Sequence, residues 1–69
     1  MSKQLKEIKY PNLLLEIKRQ GETQDDLGKL LGIARTTVNF KLSGKSEWTI
    51  DEIDKICNHY NKDFYELFK

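Results

Sequence analysis

The 69-residue chain is one small domain in length, and its composition, 33% charged and 38% hydrophobic, indicates a globular helical protein and argues against a disordered one. A domain of this size buries only about 60% of its unfolded surface, which makes a deep catalytic cavity difficult to build. A single cysteine, Cys57, excludes an internal disulfide and indicates a reducing, cytoplasmic environment. No apolar run reaches the roughly 18 residues of a membrane span, and no signal peptide is recognisable.

Charge is distributed unevenly along the chain, although the net charge is only +1. Residues 27–46 contain four cations and no acid (+4), whereas residues 47–69 contain six acids and three lysines (−3). A basic middle beside an acidic end is typical of a protein that binds a polyanion through its middle. Ordinary solvated surface accounts for the same charges equally well, so charge alone leaves both interpretations open.

The first ten residues are predicted to be a basic N-terminal arm, followed by a folded domain over residues 11–69. Three lysines outnumber one acid in residues 1–9, which favours an extended arm. Leu5 and Ile8 are apolar, however, and packing of these two side chains against the core is the alternative.

Two helices are predicted next. The first begins at Pro11, because a missing N–H costs nothing in a first turn, and Gly21 ends it. The second begins at the cap residue Thr23, carries two acids in its first turn and stops at Gly32. Their buried stripes are predicted to be Leu13, Leu14 and Ile17 in the first helix and Leu27, Leu30 and Leu31 in the second.

Three further helices complete the prediction. The third covers residues 35–43 and ends at Gly44. The fourth opens on the capping box TIDE and the fifth on the similar segment DFYE, beginning at Asp63. The expected core positions of the fourth helix are Ile50, Ile53, Ile56, Cys57 and Tyr60. Because no alternating strand pattern of useful length occurs, five short helices and an all-α fold are expected.

The third helix has two different faces. Ala34, Val38 and Leu42 recur every four residues and share one side. The opposite side has small polar groups, an amide and an aromatic ring, with no acid: Thr36, Asn39, Phe40 and Ser43. Phe40 has two interpretations, an exposed contact residue or a side chain buried against the first or fourth helix.

A turn of only three residues joins the second and third helices, and it contains Gly32. Such a turn is typical of a steeply crossing helix pair. Gly28 is expected to allow close approach there, at a cost of about 0.5–1 kcal/mol relative to alanine. The segment TQDDLGKLLGIARTTVNFKLSGK resembles the helix-turn-helix of the Cro/cI-type phage and bacterial DNA-binding regulators, and EWTIDEIDKI and YELF resemble that family's fourth and fifth helices. The resemblance covers about residues 11–68.

This resemblance implies a small five-helix, lambda-repressor-like bundle whose third helix, residues 35–43, enters the major groove of double-stranded DNA. Three residues depart from the family pattern. Gly28 replaces the usual alanine, and Ala34 stands where the family usually has a serine cap. Lys41 stands where an apolar residue is common, so Leu42 is expected to provide that packing.

The resemblance also implies two groups of DNA contacts. The residues expected at base edges are Arg35, Thr36, Thr37, Asn39 and Phe40. Arg35 suits guanine, and Phe40 suits the methyl group of thymine. The residues expected at the DNA backbone, where contacts set register, are Gln24, Lys41, Lys45 and Ser46. For Lys45 the alternative is a solvated loop cation, and Trp48 is interpreted as a structural residue that covers the core.

The reactive residues of the sequence are not arranged as in an enzyme site, so no catalytic activity, cofactor, metal or small-molecule ligand is expected. One histidine and one cysteine cannot form a tetrahedral zinc site. Cys57 and His59 are two residues apart on a helix and face different directions. The carboxylate pairs lie in first helical turns, where the helix dipole explains them.

The expected function is that of a sequence-specific transcriptional regulator, most similar to a Cro-like phage or prophage repressor, because the chain leaves no room for a second domain. Such a protein is expected to bind a palindromic operator as a homodimer, with the segment FYELF as a candidate dimer surface. Two alternatives stay open. One is an antitoxin-type autoregulator, and the other is a phage anti-repressor or modulator that binds protein through Phe40 and its neighbours.

Overall fold

The computed structural model describes residues 8–69, which form five α-helices and no strand. The helices are α1 (Pro11–Arg19), α2 (Gln24–Leu31), α3 (Arg35–Ser43), α4 (Ile50–Tyr60) and α5 (Phe64–Phe68). The all-α prediction is confirmed. Within these residues no helix combines the length and apolar character that crossing a membrane would require.

Local sequence signals set most of the helix ends. Pro11 occupies the first turn of α1, as predicted. The helices α2, α4 and α5 each begin with a complete capping box, in which the cap side chain accepts from a backbone N–H and an acid three residues later accepts from the cap N–H. Three helices end on residues in the left-handed conformation, with φ between 56° and 89°: Gly32, Gly44 and Asn61.

The hydrophobic core lies between the helices and receives side chains from all five. Its buried members are Leu13, Ile17, Leu27, Leu31, Val38, Leu42, Trp48, Ile56, Tyr60, Leu67 and Phe68. α2 packs against α3, α1 packs against α3 and α5, and α4 packs against α2 and α5. α3 is therefore fixed from one side and leaves its other side at the surface.

Two residues predicted for the core lie at the surface, and these predictions were wrong. Ile50 is 77% exposed, because it is the first residue of α4 and the apolar contacts of this helix with the core begin one turn later, at Ile53. Leu30 is 36% exposed, because the buried stripe of α2 is narrow and consists of Leu27, Gly28 and Leu31.

The residues that precede α1 lie against the C-terminal end of α3. The backbone N–H of Lys9 donates to the carbonyl oxygen of Leu42 at 2.8 Å. The Lys9 stem also covers Gly44, where an added Cβ would stand 2.8 Å from the Lys9 Cδ. The end of the predicted N-terminal arm is thus in contact with the bundle, while residues 1–7, including Leu5, lie outside the described residues.

Candidate nucleic-acid interface

The turn between α2 and α3 is closed by a contact that only glycine permits. The N–H of Ile33 donates to the carbonyl oxygen of Gly28 at 2.9 Å. A Cβ at residue 28 would stand 2.7 Å from the Ile33 carbonyl oxygen and 3.5 Å from a Val38 methyl group. Gly28 therefore allows the close approach of the two helices that the sequence predicts.

α3 separates its residues between interior and surface. Val38, Lys41 and Leu42 are buried. The exposed residues are Arg35, Thr36, Asn39 and Phe40, whereas Thr37 and Ser43 are half-buried. Phe40 is 43% exposed, so its burial in the core, the alternative left open by the sequence, does not occur.

The start of α3 carries no local compensation for its positive end. Ala34 has extended backbone angles typical of an N-cap residue (φ −72°, ψ 153°), but its methyl group cannot accept a hydrogen bond. The first turn also contains no acid. The first N–H groups of α3 and its helix dipole therefore present positive potential beside Arg35, an arrangement that suits an anion.

A hydrogen bond joins the beginning of α2 to the middle of α3. Asn39 Nδ2 donates to Gln24 Oε1 at 3.4 Å. The acceptor oxygen of Gln24 is thereby engaged, so its NH2 group is the part that can donate to another molecule. Gln24 and Arg35 also line one shallow cleft together with Thr23 and Asp25. Two residues predicted for different kinds of contact, Gln24 and Asn39, thus lie together.

The residues after α3 fold back on its last turn. The N–H groups of Lys45 and Ser46 donate to the carbonyl oxygen of Phe40, at 2.9 and 3.3 Å. The Lys45 Nζ stands 5.7 Å from the centroid of the Phe40 ring. This arrangement brings Phe40, Lys45 and Ser46 together at the C-terminal end of the exposed face.

Lys41 does not reach that face, so the prediction that it contacts the DNA backbone was wrong. The residue is only 9% exposed. Its Nζ donates to Glu52 Oε1 at 2.8 Å and to the Glu47 carbonyl oxygen at 3.0 Å. The ammonium group points into the bundle because residue 41 follows Val38 by three positions and therefore shares its buried side.

Trp48 has the structural role that the sequence predicts. The residue is 8% exposed, and its ring meets Phe68 edge to face with centroids 5.9 Å apart. Lys41 Nζ lies 5.7 Å from the Trp48 ring centroid, so the indole also covers the buried ammonium group.

One polar cluster was not anticipated. Glu22, which precedes α2, accepts from the hydroxyl group of Tyr60 at 2.9 Å and lies 2.9 Å from His59 Nε2. Burial, followed by the hydrogen bond to Glu22, raises the pKa of Tyr60 far above its ordinary range. The cluster attaches the turn before Gln24 to the end of α4. These partners are 37 and 38 residues apart, and no local pattern connects them.

The geometry of the other reactive side chains does not indicate catalysis. Burial, and secondarily the charges of Asp54 and Asp63, raise the pKa of the Cys57 thiol, the opposite of what a nucleophile requires. Among residues 8–69 there is no group of three or more His, Cys, Asp or Glu side chains able to hold a metal ion.

Comparison with known proteins places the helix pair in a family. Searches of curated proteins and of solved structures returned no match. A family model described as the Cro/C1-type HTH DNA-binding domain matches residues 12–69, which is most of the chain and includes all of α2 and α3. This family is typically non-enzymatic. The chain belongs to the Cro/C1-type helix-turn-helix DNA-binding domain family, as its sequence resemblance predicts.

Proposed function

We propose that this DNA-binding domain is a sequence-specific transcriptional repressor of the Cro-like type, acting on double-stranded DNA in the bacterial cytoplasm. The observation that carries the proposal is the exposed face of α3, which has no acid, with Gln24 beside its middle and Lys45 at its C-terminal end. An acid-free face of this kind fits the negative potential of the major groove.

The proposed base contacts are Arg35, Thr36, Thr37, Asn39 and Phe40. Arg35 leads the helix and is exposed, so its guanidinium group can bind guanine O6 and N7 together. The 43% exposure of Phe40 supports contact with the methyl groups of thymine. Thr37 is half-buried and contributes at the edge of the face.

The proposed backbone contacts are Gln24, Lys45 and Ser46. Gln24 lies beside the middle of α3, whereas Lys45 and Ser46 follow its last turn, so that together they would fix the helix between two phosphate positions. The hydrogen bond between Gln24 and Asn39 supports this role for Gln24, because it holds the amide next to the reading helix. Lys41 is left out of the proposed set because its ammonium group is buried.

We further propose that the protein binds a palindromic operator as a homodimer through α5 and its surroundings. Tyr65 is 71% exposed and Phe64 is 39% exposed, and their rings meet edge to face. Two such faces related by a two-fold axis would bury these rings against each other, and the same axis would present two copies of α3 to two half-sites.

Selection from a pool of random duplexes tests this function, followed by titration of the enriched duplex at several salt concentrations. We expect a palindrome with half-sites about one helical turn apart and an affinity that falls steeply with salt. Arg35→Ala should cost about 1–3 kcal/mol and relax one position of the enriched motif, whereas Lys45→Ala should weaken all duplexes alike. Absence of any enriched sequence contradicts the proposal.

The exposed ring of Phe40 favours a second candidate, binding of another protein through the same face. An antitoxin-type autoregulator combines both activities on two surfaces. In the protein-binding case the interaction of α3 would be insensitive to salt, and a partner protein would compete with DNA for the face that contains Phe40.

A further inference from the structure

A buried ion pair attaches the last turn of α3 to the beginning of α4. Lys41 Nζ lies 2.8 Å from Glu52 Oε1, and the two side chains are only 11% and 14% exposed. The same ammonium group donates to the Glu47 carbonyl oxygen at 3.0 Å and lies over the Trp48 ring. The ammonium group thus contacts three partners on the polypeptide that follows α3.

An ammonium group in this position is costly unless it is fully paired, since burial of a charge is strongly unfavourable. A methionine or leucine of similar volume would fill the same space without that cost. For this reason stability alone explains the ion pair poorly, and a role in fixing geometry accounts for it better.

Glu52 connects the pair to a second structure. Its Oε1 also accepts from the N–H of Thr49 at 3.0 Å, which completes the capping box of α4. One carboxylate therefore holds both the start of α4 and the end of α3. The loop of residues 44–49, between these two attachments, includes Lys45 and Ser46.

The proposed phosphate contacts of this loop depend on where its backbone lies. Lys45 and Ser46 are attached to α3 through the Phe40 carbonyl oxygen, and Glu47 is attached to α3 through Lys41. The two attachments thus hold three consecutive residues of the loop to the last turns of α3. Loss of the Lys41 contact would release Glu47, the residue between Ser46, which is attached to α3, and Trp48, whose ring is buried in the core.

We propose that Lys41 and Glu52 are positioning residues for DNA binding, which hold the rotation of α3 and the path of residues 44–49 without touching DNA. The proposal rests on the function proposed above. It adds that the affinity for DNA depends on an ion pair on the side of α3 that faces away from the DNA.

Two variants separate positioning from direct contact, because the two roles predict opposite results for the acid. Removal of an acid near DNA ordinarily strengthens binding. If Glu52 is a positioning residue, Glu52→Ala weakens binding to the enriched duplex by about tenfold in spite of the lost negative charge. Lys41→Met should weaken it by a similar factor and leave the slope of log affinity against log salt unchanged, because no phosphate contact is lost.

Three control variants sharpen this test. Glu47→Ala removes an equal charge from the loop that precedes α4 but keeps the carbonyl oxygen that Lys41 uses, so affinity should not fall. Glu52→Gln keeps an acceptor oxygen for both Lys41 and Thr49 and should restore binding to within about threefold of wild type. Lys45→Met, at a proposed phosphate contact, should lower the salt slope by about one.

The variants Lys41→Met and Glu52→Ala should also fail to add in the double variant, because both break one interaction. All affinities are compared at a temperature at which circular dichroism shows each variant folded. If Lys41→Met folds poorly, Lys41→Met combined with Glu52→Leu leaves no unpaired buried charge and serves in its place. This double variant should still bind DNA weakly, because the Glu47 carbonyl oxygen has lost the hydrogen bond from Lys41.

Amide hydrogen exchange of the protein without DNA gives a second readout that does not depend on the proposed function. The N–H groups of Lys45 and Ser46 should exchange faster in Lys41→Met and Glu52→Ala than in wild type and in Glu47→Ala. Unchanged exchange and unchanged affinity in both variants would overturn the positioning role. A lower salt slope for Lys41→Met with tighter binding by Glu52→Ala would overturn it in favour of direct contact. Failure of the wild-type protein to enrich any duplex overturns the proposed function itself.

Discussion

The beginning of α3 differs from the beginnings of α2, α4 and α5, although all four helices start in the same bundle. The latter three have complete capping boxes and acids in their first turns. α3 has the methyl group of Ala34 at its cap position and no acid in its first turn. α1 also has no side-chain cap and no first-turn acid, but its first turn contains Pro11. Of the five described helices, α3 is therefore the one that begins without a cap, an acid or a proline, and its outward face is the one we assign to DNA.

This difference has a physical explanation in the proposed function. Caps and first-turn acids neutralise the positive end of a helix, and each contributes about 0.3–2 kcal/mol. The acids among these groups would repel phosphates if they stood at the start of a DNA-reading helix. α3 instead relies on tertiary contacts, namely the close approach at Gly28, the burial of Val38 and Leu42, and the Lys41–Glu52 ion pair.

Displacement of α3 as a whole should have the largest effect. Gly28→Ala places a methyl carbon 2.7 Å from the Ile33 carbonyl oxygen, and that oxygen belongs to the backbone of the turn. We expect a loss of about 2 kcal/mol in the free energy of unfolding, measured by urea denaturation, and loss of DNA binding at temperatures at which wild type still binds. Lys29→Ala, at the exposed neighbouring position, is the control. Equal stability of Gly28→Ala and wild type would show that the turn tolerates a wider helix separation.

A carboxylate at the start of α3 should raise the stability of the protein and lower its affinity for DNA. Ala34→Asp supplies the missing cap and should raise the free energy of unfolding by about 1 kcal/mol. The same carboxylate should weaken DNA binding by about tenfold, because it stands where a phosphate is expected. Ala34→Ser is the matched control, since it supplies a neutral cap and should bind within about threefold of wild type. If Ala34→Asp binds as tightly as Ala34→Ser, the start of α3 does not approach the DNA backbone.

Loss of a cap at α5 should affect stability alone. Asp63 accepts from the N–H of Glu66 at 2.9 Å, and Asp63→Ala removes that hydrogen bond. We expect the free energy of unfolding to fall by about 1 kcal/mol, with the intrinsic affinity of one α3 face for a half-site unchanged. Binding of a single half-site duplex by the folded variant measures this separation. A large loss of half-site affinity would mean that α5 and α3 are coupled more strongly than the account allows.

The smallest effect is a pH dependence that arises from Glu52. Burial raises the pKa of this carboxyl, but the hydrogen bonds from Lys41 and Thr49 outweigh burial, so the pKa lies below its ordinary value of 4.5. The folded state therefore holds the proton less tightly than the unfolded state does. The contribution of the Glu52 carboxylate to the free energy of unfolding is complete above about pH 4.5 and is lost as the pH falls through the lowered pKa.

Urea denaturation across this acid range should show that Glu52→Gln loses stability less steeply than wild type as the pH falls. Glu47→Gln should follow the wild-type curve, because its side chain is exposed. Parallel curves for wild type and Glu52→Gln would indicate that the pair with Lys41 contributes nothing to the folded state.

Features set by neighbouring residues could be predicted from the sequence. The capping boxes at Thr49 and Asp63 and the stop at Gly44 depend on groups within a few positions, and the structure contains all of them. The helix-turn-helix could be predicted equally well, because a short turn and two glycines are local signals. The direction of the Phe40 ring was not, because it depends on the rotation of α3 within the bundle.

Features set by distant residues could not be predicted in the same way. From the sequence, Lys41 was interpreted as a surface cation, because its partner Glu52 is eleven positions later. Two signs that it faces inward were available: its position three residues after Val38, and its place where an apolar residue is common in the family pattern. The contact between Gln24 and Asn39 and the contacts of Glu22 with α4 join segments separated by 15 or more residues. Only the packing of the bundle brings these groups together.

The central claim is that the exposed face of α3, together with Gln24, Lys45 and Ser46, is the surface that binds DNA. Titration of ¹⁵N-labelled protein with a duplex, first of random sequence at low salt and then of the enriched sequence, tests it residue by residue. We predict that the largest amide shift changes fall on Gln24, on residues 35–40 and on Lys45 and Ser46, and that those of residues 51–60 stay small. Shift changes concentrated on α4 and α5, with α3 unaffected, would contradict the account.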